Sequence, residues 1–580
     1  MFTGPIRRLR RTIPSRVSSL AHGQAWPILR PAIFRYYSQK NLKNDSSSGT
    51  VIRGALAASL VGVLGITAGY YYASASVLAN PPANIFPLTS TTLVDDLLPP
   101  KYCTDDELAL AMEEARAVLG DERVLSTLVE IEHHTKNEFT PHLPLAHERP
   151  RYILYPESTE EVLRIMKILH RYAVPVVPFS GGTSLEGHFF LTRQGVVLDT
   201  SRMKKVLAVH HDDLDAVVEA GVNWQDLNTL LEPHGLMLGA DCGPNGLISG
   251  MINTNASGIN ASRYGAMVAN VISVTVVLPD GTIVKTRQRP RKTSAGYNLT
   301  GLFVGSEGTL GIVTEAVVKL HVKPPSETVV VAQFSTIRES TRAVADLFRA
   351  GLQPTAVELL DSDMMHCLNY SGYCTREWLE CPTIFFKLGG INDIVVKEHV
   401  KALRDVAERN NVQQFIFAEN AKEQEELFLA RKNAFYAMLQ YARNEIDEDV
   451  RVWVTDIAVP LSRLLPVLSE VHSLIKSSGF ESIILAHAAD GNFHADLFYT
   501  EKDKEKAEDV INQLVRLGLA NEGTCTGEHG VGNAKRNYLV CELGEDTVGL
   551  MRKVKMGIDP KRIMNPDKIF TIDPSDEGRY

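Results

Sequence analysis

Residues 178–188, PFSGGTSLEGH, follow the apolar run VPVV and set Ser180, Gly181, Gly182, Thr183 and Ser184 directly after a strand. Glycine lets successive backbone N–H groups turn toward one point, and such a nest accepts a pyrophosphate with no Cβ in the way. A glycine-rich turn alone is an ordinary feature. Repetition decides the reading: residues 239–265, GADCGPNGLISGMINTNASGINASRYG, form a second small-residue loop, and residues 301–315, GLFVGSEGTLGIVTE, a third. Neither GxGxxG after a first strand nor GxxxxGK[ST] is present, which argues against a Rossmann or P-loop site.

Short β-rich runs alternate with helical ones around the first loop: RYILYP, STEEVLRIMKILHRYA, then GVVLDT. Ser158 followed by Glu161 predicts a capping box opening the helix. The pattern is α/β or α+β rather than a bundle. The three loops, in this order and spacing, resemble the flavin domain of the vanillyl-alcohol-oxidase-like, or p-cresol methylhydroxylase (PCMH) type, family over about residues 148–325. That resemblance implies noncovalent FAD, with its pyrophosphate on Ser180, Gly181, Gly182, Thr183, Ser184 and Gly187. It implies further contacts from Gly250, Thr254, Ser257, Gly258 and Ile312. The Arg-x-Gly-x-His attachment pattern of covalent relatives is absent, since His188 comes after the nest.

Residues 487–498, HAADGNFHADLF, hold the second signal. ESIILAH reads as a strand, AADGN as turn chemistry and FHADLFYT as the returning strand, so a hairpin brings His487 and His494 together. In one straight strand, positions seven apart point to opposite faces. Glu528, between glycines in GTCTGEHGVG, completes a His/His/Glu set suited to Zn²⁺ or Mn²⁺. His529 stands beside it, and histidine is the residue type suited to serve as a base for proton abstraction at physiological pH. Taken singly, each is an ordinary hairpin or loop; their occurrence together after a flavin-type domain points to function.

HAADGNFH, GEHGVG and DPKRIMNPDKI are similar to the C-terminal domain of the FAD-linked D-2-hydroxyacid dehydrogenases. The resemblance implies His487, His494 and Glu528 as metal ligands, His529 as catalytic base, and Arg431 in LFLARKNAFYAML as the residue binding the substrate carboxylate. Asp567 departs from the glycine common at that position. Removing a hydroxyl proton while hydride leaves the α-carbon is the chemistry these residues serve. Phe435, Met438 and Leu439, beyond Arg431, make an apolar neighbourhood that favours D-lactate, because burying an unpaired second carboxylate is costly. Arg443 runs against that choice. D-2-hydroxyglutarate is the alternative substrate, and a transferase like the flavin-containing alkylglycerone-phosphate synthases is the alternative of another class.

The chain has 580 residues, too many for one core, and carries a net charge of −9, which gives no nucleic-acid footprint. Its seven cysteines form no CxxC pair, so no disulfide framework or cysteine zinc site is expected. Residues 1–50 are arginine-rich with Asp45 the one acidic residue, the composition of a mitochondrial presequence. Residues 54–79 are uncharged and long enough to span a bilayer as one transmembrane anchor. The basic flank places the catalytic body in the intermembrane space of the inner mitochondrial membrane. Residues 80–147 read as a proline-rich linker and a helical segment. Residues 148–325 then read as the FAD domain, and 326–575 as the substrate-cap and metal domain. TVVVAQF and TIFFKLG in the cap predict an antiparallel, ferredoxin-like α+β sheet. A mitochondrial member of the resembled family passes its electrons to cytochrome c, and the negative net charge suits that basic carrier.

Overall fold

The computed structural model describes residues 89–136, 140–145 and 147–576. The expected presequence and transmembrane anchor lie outside the described residues. Among those described, no helix is long and apolar enough to cross a membrane.

Three sheets organise the described chain. The first joins β1 (Val124–Leu125), β2 (Tyr152–Leu154), β3 (Val176–Phe179) and β4 (Val196–Asp199) in the order β1-β2-β4-β3, with β4 parallel to both neighbours. Helices Asp105–Leu119 and Thr159–Tyr172 cover it. Their buried residues recur at three- and four-residue spacing, as Leu108, Ala111, Met112 and Ala115 do on the first. The predicted capping box is half made. Ser158 Oγ accepts the Glu161 N–H, but the Glu161 carboxylate turns to Arg123 and to the N–H of Glu157. A paired guanidinium is the stronger partner.

The second sheet holds β5 (Val206–His210), β6 (Asp215–Glu219), β7 (Leu236–Leu238), β8 (Val271–Val277), β9 (Ile283–Lys285) and β10 (Ile312–Val322). All its pairings are antiparallel, in the order β5-β6-β10-β8-β9 with β7 also on β10.

The third sheet is built from β11 (Ser326–Phe334), β12 (Ala356–Leu360), β13 (Thr383–Gly390), β14 (Val412–Phe417), β15 (Arg451–Val454), β16 (Ile457–Ala458), β17 (Ser482–His487) and β18 (Asn492–Tyr499). Its order is β14-β11-β13-β12-β17-β18-β15, entirely antiparallel, with β16 on β18. β11 to β14 with helices Ile337–Arg349 and Asp393–Arg409 repeat the ferredoxin-like βαββαβ pattern, helix Ser362–Ser371 being inserted between β12 and β13. Pairing of β12 with β17 extends this unit into a wider sheet. Alternation divides the side chains. Val357, Leu359, Ile484, Ala486, Phe493 and Ala495 join one core, whereas Leu360, Ile483, Leu485 and Phe498 join the other, under helix Ala421–Glu445. By the same alternation Glu358, His487, His494 and Asp496 share the second face.

The chain ends by returning to the first sheet. The N–H of Val176 donates to the Ile563 carbonyl at 2.8 Å and Asn565 N–H donates back to Val176 at 2.8 Å. The exposed edge of β3 is thereby capped. Lys555, 1 % exposed, donates to the carbonyls of Thr309 and Met564 and pairs with Asp559 at 2.7 Å. Asp567, where glycine was the family's residue, stands at φ +63° and spends its carboxylate on Arg193 and Thr192. Aspartate tolerates that left-handed backbone better than most side chains. Lys555→Ala would leave the buried Asp559 carboxylate without its cation, a loss of about 3–5 kcal/mol. An earlier urea transition followed by tryptophan fluorescence is the expected result; an unmoved midpoint would show that the pair does not hold the returning segment.

Candidate active site

β17 and β18 form the expected hairpin, with Leu485 opposite His494 and His487 opposite Asn492. The turn needs Gly491, whose φ is +72° and whose Cβ, if present, would fall 2.0 Å from the Val459 carbonyl oxygen. His487 and His494 therefore stand 5.7 Å apart, ring centre to ring centre. Each ring is oriented through Nδ1: His487 on Glu358 Oε1 at 2.9 Å and His494 on the Thr455 carbonyl at 2.8 Å. That leaves both Nε2 atoms aimed at one oxygen, Glu528 Oε1, at 3.2 and 3.3 Å. Two imidazole lone pairs cannot face a carboxylate oxygen without a positive charge among them.

Electrostatics repeat the point. Burial alone would strip His487 of its proton, yet Glu358 and Glu528 hold it well above the ordinary histidine range. Burial would raise Glu528, but His487 and His494 hold it well below the usual carboxylate range. These three ligand atoms lie within 4.8 Å of one another, and a divalent cation fits the donor set as two neutral imidazoles and a carboxylate. Glu358, fully buried, supplies the outer carboxylate that such a histidine ligand commonly has. Its second oxygen accepts from Arg431 Nε at 2.9 Å. Arg431 makes no other hydrogen bond among the described residues, so its two Nη groups remain available on the same sheet face.

The loop carrying Glu528 and His529 is held by Asp456, which is 1 % exposed. Asp456 Oδ2 accepts the N–H of Glu528 at 3.0 Å, the N–H of His529 at 2.8 Å and the Thr526 hydroxyl at 2.7 Å. Oδ1 accepts from Asn492 in the hairpin at 2.9 Å. His529 consequently lies flat against His494, with centroids 5.2 Å apart and planes at 13°. From the other side, Glu307 of the third glycine loop accepts the N–H of Val531 and Gly532 at 2.7 and 2.8 Å. Asp496 adds a buried carboxylate whose Oδ1 has no hydrogen-bond partner, pushed up to about 6 by burial. Sequence reasoning passed over Glu358, Asp456, Asp496 and Glu307. For Glu358, Asp456 and Asp496 the available signal was an acidic residue inside an apolar run, as in AVELL, VTDIAV and FHADLFY; Glu307 stands in a glycine loop and gave no such signal.

The three glycine loops meet. Ser180 Oγ lies 3.1 Å from Ser249 Oγ, and a Cβ on Gly250 would sit 3.4 Å from that of Ser180. A Cβ on Gly181 would fall 2.4 Å from the Asn245 carbonyl, and one on Gly258 1.9 Å from that of Asp241. A cavity of about 410 Å³ opens beside Gly181 and Asn245, between Val222 and Leu247. Gly182, Thr183, Ser184 and Ser257 are partly or fully solvent-accessible on these loops. This small-residue cradle fits a dinucleotide pyrophosphate. Gly187, at φ +71°, abuts Asn533 of the loop that carries His529. Thr254 spends its hydroxyl on the Gly250 carbonyl at 3.0 Å, and Ile312 opens β10 with its side chain in the apolar core. Phe435 is partly buried, but Met438 lies wholly in the core beneath the helix rather than along an open pocket. All seven cysteines are free.

Residues 150–287 match the FAD binding domain family and residues 323–569 the family of FAD linked oxidases, C-terminal domain. A mitochondrial D-lactate dehydrogenase (cytochrome) of Saccharomyces cerevisiae is 45 % identical over 562 residues, covering 95 % of this chain and 96 % of the relative. That of Kluyveromyces lactis is 45 % identical over 493 residues, 84 % of this chain and 85 % of the relative. Among solved structures, p-cresol methylhydroxylase superposes with a TM-score of 0.67 at 17 % identity, over 82 % of this chain and 99 % of that one. At that identity it supports the α+β PCMH-type fold alone. The chain is an FAD-dependent oxidoreductase and belongs to the family of the mitochondrial D-lactate dehydrogenases (cytochrome).

Proposed function

We propose that this chain oxidises D-lactate to pyruvate at the junction of the glycine loops and the His487–His494 hairpin, and passes the electrons to cytochrome c. The observation that carries the site is the convergence of two Nε2 atoms on Glu528 Oε1 with His529 stacked alongside. The names of the relatives support D-lactate as the substrate and a cytochrome as the acceptor.

In this reading His487, His494 and Glu528 hold Zn²⁺ or Mn²⁺. Ser180, Gly181, Gly182, Thr183, Ser184, Gly187, Gly250, Thr254, Ser257 and Gly258 hold FAD noncovalently, with Ile312 contributing through its backbone. When bound, the cation supplies Lewis-acid polarisation of the hydroxy acid and FAD supplies the two-electron acceptor. Arg431 binds the substrate carboxylate through its Nη pair while Glu358 fixes the guanidinium plane. His529 takes the hydroxyl proton on Nε2, the ring nitrogen away from the backbone of its loop. Asp496, a buried acid near His494 and Arg431, offers no counter-charge to a second substrate carboxylate, which favours lactate over D-2-hydroxyglutarate. The likeness to alkyldihydroxyacetonephosphate synthase, at 20 % identity, extends to fold.

Residues 148–325 serve as the FAD-binding domain and 326–575 as the substrate and metal domain, with 80–147 leading into them. Residues 1–50 serve as a presequence and 54–79 as an inner-membrane anchor that leaves the body in the intermembrane space. Their charge pattern supports this.

Anaerobic mixing with D-lactate, L-lactate and D-2-hydroxyglutarate, followed by flavin absorbance, separates the substrates. D-lactate is expected to bleach the flavin fastest; bleaching by D-2-hydroxyglutarate alone sinks the lactate reading. For the cation, His487→Ala and Glu528→Gln are expected to lose bound metal, measured by elemental analysis of the purified protein, while keeping the flavin spectrum. Full metal content in both variants would remove these residues as ligands.

A further inference from the structure

His529 stands against a buried carboxylate contributed by the first glycine loop. Glu186 immediately precedes Gly187 and is 3 % exposed. Its Oε1 lies 3.4 Å from His529 Nδ1 and 3.0 Å from Lys535 Nζ, and its Oε2 lies 3.4 Å from His142 Nε2. The backbone locks the contact. The Glu186 carbonyl accepts the N–H of Asn533 at 3.1 Å and of Ala534 at 3.3 Å, and a Cβ on Gly532 would fall 1.9 Å from that oxygen. Burial alone would raise the Glu186 carboxyl, but Lys535, with His142 and His529, holds it well below its ordinary range. It is an anion at neutral pH.

Stacking on His494 fixes the plane of the His529 ring but does not distinguish its two half-turn states. A half-turn about the Cβ–Cγ bond exchanges Nδ1 with a carbon, and Nε2 with a carbon, at no cost in stacking. Something must choose between the two states. His529 Nδ1 is buried without a well-aligned hydrogen bond, and the nearest carboxylate oxygen is that of Glu186. Asp456 is the competitor, but its Oδ2 stands 4.0 Å away and already accepts two backbone N–H groups and a hydroxyl. A contact of 3.4 Å is long, as catalytic contacts in free enzymes often are before substrate tightens them.

We propose that Glu186 is the positioning residue of His529: it takes the Nδ1–H, selects the ring orientation and tautomer that leave Nε2 for the substrate, and thereby ties the base to the FAD-binding loop. The partner of one ring nitrogen sets the state of the other. Lys535 keeps the carboxylate charged and prevents it from competing for the substrate's proton. The inference rests on His529 being the base.

Anaerobic stopped-flow reduction of the FAD-loaded full chain by D-lactate gives a limiting rate and a substrate dissociation constant from one titration. Glu186→Ala is expected to slow the limiting rate about 100-fold and Glu186→Gln, which can still accept the Nδ1–H, about tenfold. FAD content and the dissociation constant should remain those of the parent. In the His529→Ala background neither change should slow reduction further. Parental rates in both Glu186 variants, an equal further loss in the His529→Ala background, or a loss of rate that tracks lost FAD would each overturn the proposal. Parental reduction by His529→Ala itself would instead remove the base assignment on which it rests.

Discussion

Asp456 is the constraint on which the site depends. One buried carboxylate fixes the backbone of Glu528 and His529 while holding Asn492 of the hairpin, so loop and hairpin are placed by the same two oxygens. A charge in that position is expensive unless every lone pair is used, and here four donors use them. The placement of the two histidines belongs to the sheet. Alternation along β17 and β18 brings both to one face, and Glu358 on the neighbouring strand β12 orients one of them.

The face that carries this chemistry is also the face covered by helix Ala421–Glu445. Arg431 reaches the sheet from that helix through Glu358, so a chain of charged contacts runs from the helix to the hairpin and on to Glu528. Each member is buried or nearly so, which strengthens every interaction and makes each unsatisfied group costly. The position of the site at the strand ends follows, because there the apolar filling of the face stops at Leu485 and Phe498.

Much of this was legible in the sequence. The hairpin around Asp490–Gly491, the approach of His487 to His494 and the antiparallel cap follow from spacing and turn chemistry, whereas joining Glu528 to them and taking the three glycine loops as one site drew on the family resemblance. The supporting carboxylates follow from neither. Glu358 is 129 residues from His487 and Asp456 is 73 from His529, and pairings at such separations leave no local pattern. Glu161 shows the complementary failure: its capping role is a local rule, and a distant arginine, Arg123, overrides it. Asp567 shows that a departure from a family glycine can be accommodated, here by a left-handed aspartate with an arginine partner.

The closure of β3 by residues 563–565 has a consequence for how the protein comes into being. The first sheet is discontinuous in the chain, since Val176 finds its last backbone partners in residues synthesised nearly 390 positions later. The cap sheet, by contrast, is drawn from one uninterrupted stretch between Ser326 and Tyr499. A chain emerging from its N-terminus can therefore complete the cap while the flavin-type unit still presents an open strand edge. Open edges are where growing chains associate wrongly. Asn565, in that final segment, donates to the His188 and Glu307 carbonyls, so the first and third glycine loops gain this link to each other only when the last residues arrive.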